Sequence, residues 1–200
     1  MTLNPFNFYT TPGIRFGTGQ AKDSCKEIFK QLGSRILFIT DKGLMSLGLT
    51  KPTIEELKKM GSVEVFDNVE ADPSKKTLLK AIDAGKNFKA TGVIGFGGGS
   101  SMDVAKLSAL ILGSNEDLEN AWGVANAKGP RLPLALVPTT AGTGSEVTPV
   151  SIITVGEEEK KGVSSPIILP DLAILDPELT LGLPATTTAS TGIDAMVHAI

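Results

Sequence analysis

The segment Gly92-Val93-Ile94-Gly95-Phe96-Gly97-Gly98-Gly99-Ser100-Ser101 sets an apolar run, three consecutive glycines and two serines in the order strand, turn, helix start. Bare backbone admits a charged group closely, and the first N–H groups of a helix carry roughly half a positive charge. Together they suit a pyrophosphate. The spacing is not a strict G-x-G-x-x-G, because Ser100 stands where the third glycine would follow Gly95 and Gly97. A plain glycine turn between strand and helix is the alternative. A second segment, PTTAGTGSE from Pro138 to Glu146, also follows an apolar strand. Its small residues and hydroxyls suit further contacts to a dinucleotide, or else an ordinary polar loop. No acidic residue ends a strand about twenty positions after the glycines, where the usual ribose ligand stands. Asp41 ends the apolar run Arg35–Thr40 upstream instead. A carboxylate there can accept the ribose hydroxyls and repel a 2′-phosphate, favouring NAD over NADP; the alternative is a helix cap.

The single histidine, His198, lies four residues after Asp194. On a helix both side chains share a face and could hold one metal ion, although a solvated or capping histidine is the commoner fate. Two ligands do not complete a catalytic site, which needs at least a third protein donor and an open position.

The elements that must position these groups follow from apolar patterning. Short β-branched runs alternate with charged stretches of helical period, as in βαβ units around a parallel sheet. Strands are expected at Arg35–Thr40, Ser62–Phe66, Gly92–Phe96 and Leu134–Val137, apolar on both faces as covered parallel strands are, and a further strand Leu172–Leu175 runs into Asp176-Pro177. Helices are expected at Lys22–Leu32, Pro52–Met60, Ser74–Asn87 and Ser101–Leu112. Val147–Val155 and Gly162–Leu169, flanking the charged tip Gly156–Lys161, read as an antiparallel hairpin. After Pro184 the texture changes. Ala185–Ile200 carries Ile193, Met196, Val197 and Ile200 at helical spacing, still in register at the last residue. The expected division is therefore an α/β domain over 1–184 and the first helix of a helical domain over 185–200.

Composition sets outer limits. With 200 residues, 41% of them hydrophobic, the chain can bury a sizeable core. A net charge of −3, without any basic block, argues against a nucleic-acid partner. No apolar run approaches a membrane span, and residues 1–10 lack a secretory pattern, so a cytoplasmic protein is expected. The lone Cys25 is expected to be a buried structural thiol.

The glycine turn, PTTAGTGSE, Asp176-Pro177-Glu178-Leu179-Thr180 and Gly192-Ile193-Asp194-Ala195-Met196-Val197-His198 stand in one order, and together they resemble the iron-containing alcohol dehydrogenase family. The likeness runs from Pro12-Gly13-Ile14-Arg15-Phe16-Gly17 to the last residue. It implies a Rossmann-like nucleotide-binding domain followed by an all-helical one, NAD as cofactor with NADP less favoured, and Fe²⁺ with Zn²⁺ as the other choice. By the same resemblance, Asp41 is the adenosine ribose ligand, Gly97, Gly98, Gly99 and Ser100 form the pyrophosphate turn, and Asp103 lies near the nicotinamide. Thr139, Thr140 and Thr143 line the cofactor, and Lys161 reaches the nicotinamide ribose. Leu179, Thr180 and Leu183 surround the adenosine. Asp194 and His198 match two metal ligands, which two histidines of the helical domain would join.

The implied chemistry is hydride transfer between nicotinamide and a small primary alcohol or aldehyde, in a homo-oligomer, with the metal polarising the substrate oxygen. The resemblance leaves this chain as the cofactor-binding part, without turnover by itself. A shortened NAD(P)-binding module is a second reading. A third is a related metal enzyme of the glycerol dehydrogenase or dehydroquinate synthase type, though GTGSEVT and DPELT favour the alcohol dehydrogenase branch.

Overall fold

A computed structural model describes residues 6–157 and 159–200. The first five residues of the N-terminal stretch, and Glu158 of the expected hairpin tip, lie outside the described residues. In chain order the elements are β1 (Gly13–Phe16), α1 (Gln20–Asp23), α2 (Cys25–Leu32), β2 (Arg35–Ile39), α3 (Lys42–Ser46), α4 (Lys51–Lys58) and β3 (Ser62–Phe66). Then come α5 (Lys75–Phe88), β4 (Gly92–Gly97), α6 (Gly99–Ser114), α7 (Leu118–Ala121), β5 (Gly123–Val124) and β6 (Leu134–Pro138). The last are β7 (Val150–Val155), β8 (Glu159–Ser164), β9 (Leu172–Leu175) and α8 (Ala185–Ala199).

Six parallel strands form the main sheet in the order β1-β9-β6-β4-β2-β3. Alternation along each strand divides the core in two. Leu37, Ile39, Val93, Leu134 and Leu136 pack under α5 and α6. Ile36, Phe38, Ile94, Phe96, Val137, Leu172 and Ile174 pack against α1, α2 and α4 on the other face. Both faces are thus covered, as a parallel sheet requires. The chain leaves β2 for β3 on one side and β4 for β6 on the other, so the strand order reverses between β2 and β4. The crevice beyond the carboxyl ends of two such strands is where doubly wound sheets bind ligands.

Helix α6 crosses β4 very closely. A Cβ on Gly95 would lie 2.7 Å from the Ala105 Cβ and 3.3 Å from the Met102 Cα, so the absence of a side chain there sets the helix-to-sheet distance. Ser74 caps α5 by accepting from the Thr77 N–H. Cys25 is buried, its thiol pushed up to about 12 by burial and by Glu56 and Asp23, which suits a structural thiol.

The expected strands and helices occur, with shifted ends. The first helix starts at Gln20 and breaks at Ser24, giving α1 and α2. The hairpin pairs β7 with β8, Val155 opposite Glu159. Its second strand therefore begins inside the segment expected as the tip. Pro166, which lacks a backbone donor, opens a 3-10 turn, so β8 ends before the expected Leu169. Strand β1, at the sheet's edge, and the short helices α3 and α7 were not foreseen. Three of the four β1 residues are exposed, leaving no apolar run to announce it.

Candidate active site

At the carboxyl ends of β2, β3, β4 and β6 lies a cleft of ≈ 510 Å³, at the crevice where the strand order reverses. Asp41, Glu70, Gly98, Gly99, Ser100, Thr139, Thr140 and Leu183 are among its walls. The N-cap of α6 is Gly98, which offers no side-chain cap. The first N–H groups of this 16-residue helix therefore have no capping oxygen and lie at the cleft.

The three glycines serve different ends. Gly97 has φ +151°, and a Cβ there would meet the Ser101 Oγ at 2.7 Å; its carbonyl accepts from the Thr139 N–H at 3.0 Å. This position needs glycine for the turn itself. Gly98 sits at φ −75°, and the atom nearest to an added Cβ is a Thr140 methyl at 3.6 Å. Its backbone would accept any residue, so a side chain there would take up ligand space. The Thr140 Oγ1 is buried without a hydrogen-bond partner. An orphaned hydroxyl beside a cradle that a side chain would fill fits an anionic group bound to bare backbone.

Asp41 holds two roles at once. Its Oδ1 accepts from the Leu44 N–H at 2.9 Å, capping α3, while the residue lines the cleft. Glu70 stands on the same wall; burial pushes its carboxyl up, but the Ser74 N–H and the Thr77 hydroxyl donate to its oxygens and together hold it below the usual range. Sequence reasoning missed Glu70; a charged residue two positions beyond Asn68 carried no pattern.

A second groove, of ≈ 620 Å³, meets the first at Gly99 and is lined by Asp103, Thr143, Ser145, Ile152, Asp194 and His198 among others. Thr143 packs over Gly99, 3.1 Å from where its Cβ would be. Asp194 and His198 face this groove from α8, Oδ1 and Nε2 4.0 Å apart. Bonds of about 2.1 Å allow two such donors to share one ion. Among the described residues no cluster of three or more such donors occurs. The pair fits part of a metal site.

Beneath the groove lies a buried network. The Lys106 ammonium, fully buried, donates to the Ser145 Oγ at 2.8 Å and the Val150 carbonyl at 2.7 Å. The Ser145 hydroxyl donates to the Asp103 Oδ1 at 2.8 Å, and Asp103 Oδ2 accepts from the Ile152 N–H at 3.0 Å. Burial lowers Lys106 to about 8 despite Asp103 and Glu146, and raises Asp103 despite the lysine. Lys106, one helical turn from the expected Asp103, was also missed; a lone lysine in a helix ordinarily reads as solvent-facing.

Other expected residues are scattered. Lys161 lines neither groove, and its ammonium lies 3.9 Å from Glu159. On β8 it is paired across the hairpin with Ile153, which fixes its place on the sheet. Leu179 is packed into the core beneath the sheet, and Thr180 lines a separate small hollow that shares Thr140 with the cleft.

The fold and cleft define a doubly wound α/β domain with an anion-ready crevice, and comparison with known proteins gives its family. A profile of the iron-containing alcohol dehydrogenase family matches residues 11–177, and the chain belongs to that family. It is 38% identical over 198 residues to a sulfoacetaldehyde reductase of Bilophila wadsworthia, covering 98% of this chain and 51% of that protein. It is 42% identical over 176 residues to long-chain-alcohol dehydrogenase 1 of Geobacillus thermodenitrificans, covering 86% and 44%. Among solved structures, a 1,3-propanediol oxidoreductase superposes with TM-score 0.93 at 31% identity, over 98% of this chain and 52% of that one. A sulfoacetaldehyde reductase from Bifidobacterium kashiwanohense, in complex with NAD+, gives TM-score 0.83 at 33% identity, over 96% and 51%. The chain spans about half the length of the curated relatives it matches.

The glycine geometry leads to a paired test. Gly97→Ser should lose about 1–3 kcal/mol through its positive φ and the Ser101 contact. Gly98→Ser, at a residue that accepts a β-carbon and at an N-cap, should be neutral or gain up to about 1 kcal/mol. Urea denaturation of both variants measures this; equal losses would contradict the assignment.

Proposed function

We propose that the chain is the cofactor-binding part of a metal-dependent, NAD-linked dehydrogenase acting on a small primary alcohol or its aldehyde. The observation that carries this reading is the uncapped α6 N-terminus, with Gly98 open to the cleft and the Thr140 hydroxyl orphaned beside it. Asp41 and Glu70, at the far wall, suit an adenosine ribose and oppose a 2′-phosphate. The groove from Gly99 to Asp194 and His198 is the place for nicotinamide and substrate. Oxidation would send hydride to the nicotinamide and a proton to solvent, and reduction would reverse this.

In that reaction the chain's own residues mainly position. Backbone N–H groups at Gly99–Ser101 hold the pyrophosphate, and Thr139, Thr140 and Thr143 border it. Asp103 and Ser145 form the floor of the second groove. Asp194 and His198 would hold Fe²⁺ or Zn²⁺, which when bound polarises the substrate's oxygen. Residues beyond this chain would complete that site, and they belong to the same proposal as the helical domain starting at residue 185. Ile193, Met196 and Val197 of α8 are 60%, 60% and 64% exposed, an apolar face that such a domain would cover. The enzyme is further proposed to be cytoplasmic and homo-oligomeric, the latter supported by Ile14 and Phe16 exposed on edge strand β1. Among the described residues no helix is long and apolar enough to cross a membrane.

Two outcomes follow. Because Asp41 also caps α3, its test substitution must keep a capping oxygen. Asp41→Ser should raise the NADP⁺ to NAD⁺ ratio of kcat/KM about tenfold with little loss of stability; an unchanged ratio would remove the ribose assignment. In the complete polypeptide loaded with Fe²⁺ or Zn²⁺, a panel of small primary alcohols with NAD⁺ should give NADH. His198→Ala should lose most of the bound metal and nearly all turnover, whereas full activity of that variant would refute the metal site.

A further inference from the structure

We infer that Lys106 is a positioning residue for the cofactor's nicotinamide half, acting through the wall of the second groove. The inference rests on the cofactor reading above. Residues 142–152 run along the groove and include Gly142, Thr143, Gly144, Ser145, Thr148, Val150 and Ile152 of its lining. Between Thr143 and Val150 only the short 3-10 turn Ser145–Val147 gives this stretch regular structure. Its anchor to the sheet-packed body is α6. Lys106 donates to Ser145 at the start of the turn and to the Val150 carbonyl at the start of β7, tying both sides of this stretch to one ammonium.

The order of protons in the network is fixed by chemistry. A serine hydroxyl has one hydrogen, and an ammonium only donates. Since Lys106 occupies the Ser145 oxygen as acceptor, the Ser145 hydrogen goes to Asp103, whose other oxygen accepts from Ile152. Both Asp103 carboxyl oxygens thus act as acceptors, and its main-chain carbonyl also accepts from the Ser151 hydroxyl. One charged pair on α6 thus holds Ser145, Val150, Ser151 and Ile152. The adenosine wall, made by Asp41, Glu70 and Leu183, has no member in this network.

That separation predicts an uneven loss. Removing the ammonium leaves Asp103 and the half-buried Glu146 without compensation beside the groove, and releases the 145–150 turn. NAD⁺, which spans both grooves, should weaken, whereas ADP, which fills only the first, should not. Charge matters as well as contact. As pH rises through about 8, Lys106 loses its proton, and the 145–152 wall of the second groove loses the charge that anchors it to α6. From α8, across the groove, Asp194 and His198 face the same space.

The test uses the complete polypeptide without added metal, titrated calorimetrically with NAD⁺ and with ADP across this pH range. Wild type should bind both, with NAD⁺ affinity falling as pH passes about 8. Lys106→Met, of similar length but uncharged, should weaken NAD⁺ about tenfold or more, keep ADP within about twofold, and lack the pH-dependent fall. If Lys106→Met does not fold, Ser145→Ala, which removes the relay to Asp103, should show the same preference for loss of NAD⁺. Unchanged NAD⁺ affinity, equal loss of both ligands, or a variant that keeps the wild-type pH profile would overturn the role of Lys106. Failure of the wild type to bind either ligand would instead overturn the cofactor reading.

Discussion

Helix α6 stands against β4 at a distance that only glycine at position 95 allows, and the rest of the site depends on that approach. With Met102 and Ala105 seated on Gly95, the helix starts directly above the end of β4, where the strand order reverses. The turn between them is then too tight for any backbone but that of Gly97 at φ +151°. The result is an uncapped helix N-terminus at a cleft floor with no side chain in the way. The positive end of a helix is worth most where its N–H groups meet an anion directly, and here the packing of the core delivers them there.

The same helix builds the second groove from its next turn. Asp103 and Lys106 lie on the side of α6 that meets β7, so the hairpin is held to the main body by buried charge as well as by apolar contact. Burying an ammonium is costly unless acceptors surround it, and Ser145, Val150 and Asp103 meet that requirement. The cleft is thus set by close packing at the glycine turn and tied at the groove wall. On the far side, α8 leans on the loop at Gly142, where an added Cβ would fall 2.7 Å from Thr191. Asp194 and His198 are thereby brought to the groove by an element whose apolar face is otherwise exposed.

Much of this was legible in the sequence where one local rule decides the outcome. The strands from Arg35, Gly92 and Leu134 are unbroken apolar runs, and covered parallel strands have no other way to look. The glycine turn was legible because its chemistry and its backbone need coincide at Gly97. What escaped depended on partners distant in sequence. Strand β1 is exposed on most residues and is defined only by pairing with β9. Lys106 looks like a surface lysine until Ser145 and Val150 are brought to it from about forty residues on. The sequence alone leaves Asp41 open between cap and ligand, and in the fold it is a cap placed at the cleft. Lys161 was placed by resemblance, and its pairing opposite Ile153 leaves it outside both grooves.

The central claim is that the space above Gly98 belongs to a dinucleotide pyrophosphate. The direct measurement is calorimetric titration of NAD⁺ into the wild type and Gly98→Val, with circular dichroism confirming that the variant is folded. Gly98 lies at φ −75° and a Cβ there meets nothing closer than 3.6 Å, so the variant should fold. The account predicts that wild type binds NAD⁺ and that the folded variant loses binding by about a hundredfold or more, since the valine methyls would fill the place of the phosphates. Wild-type affinity in the folded variant would contradict it.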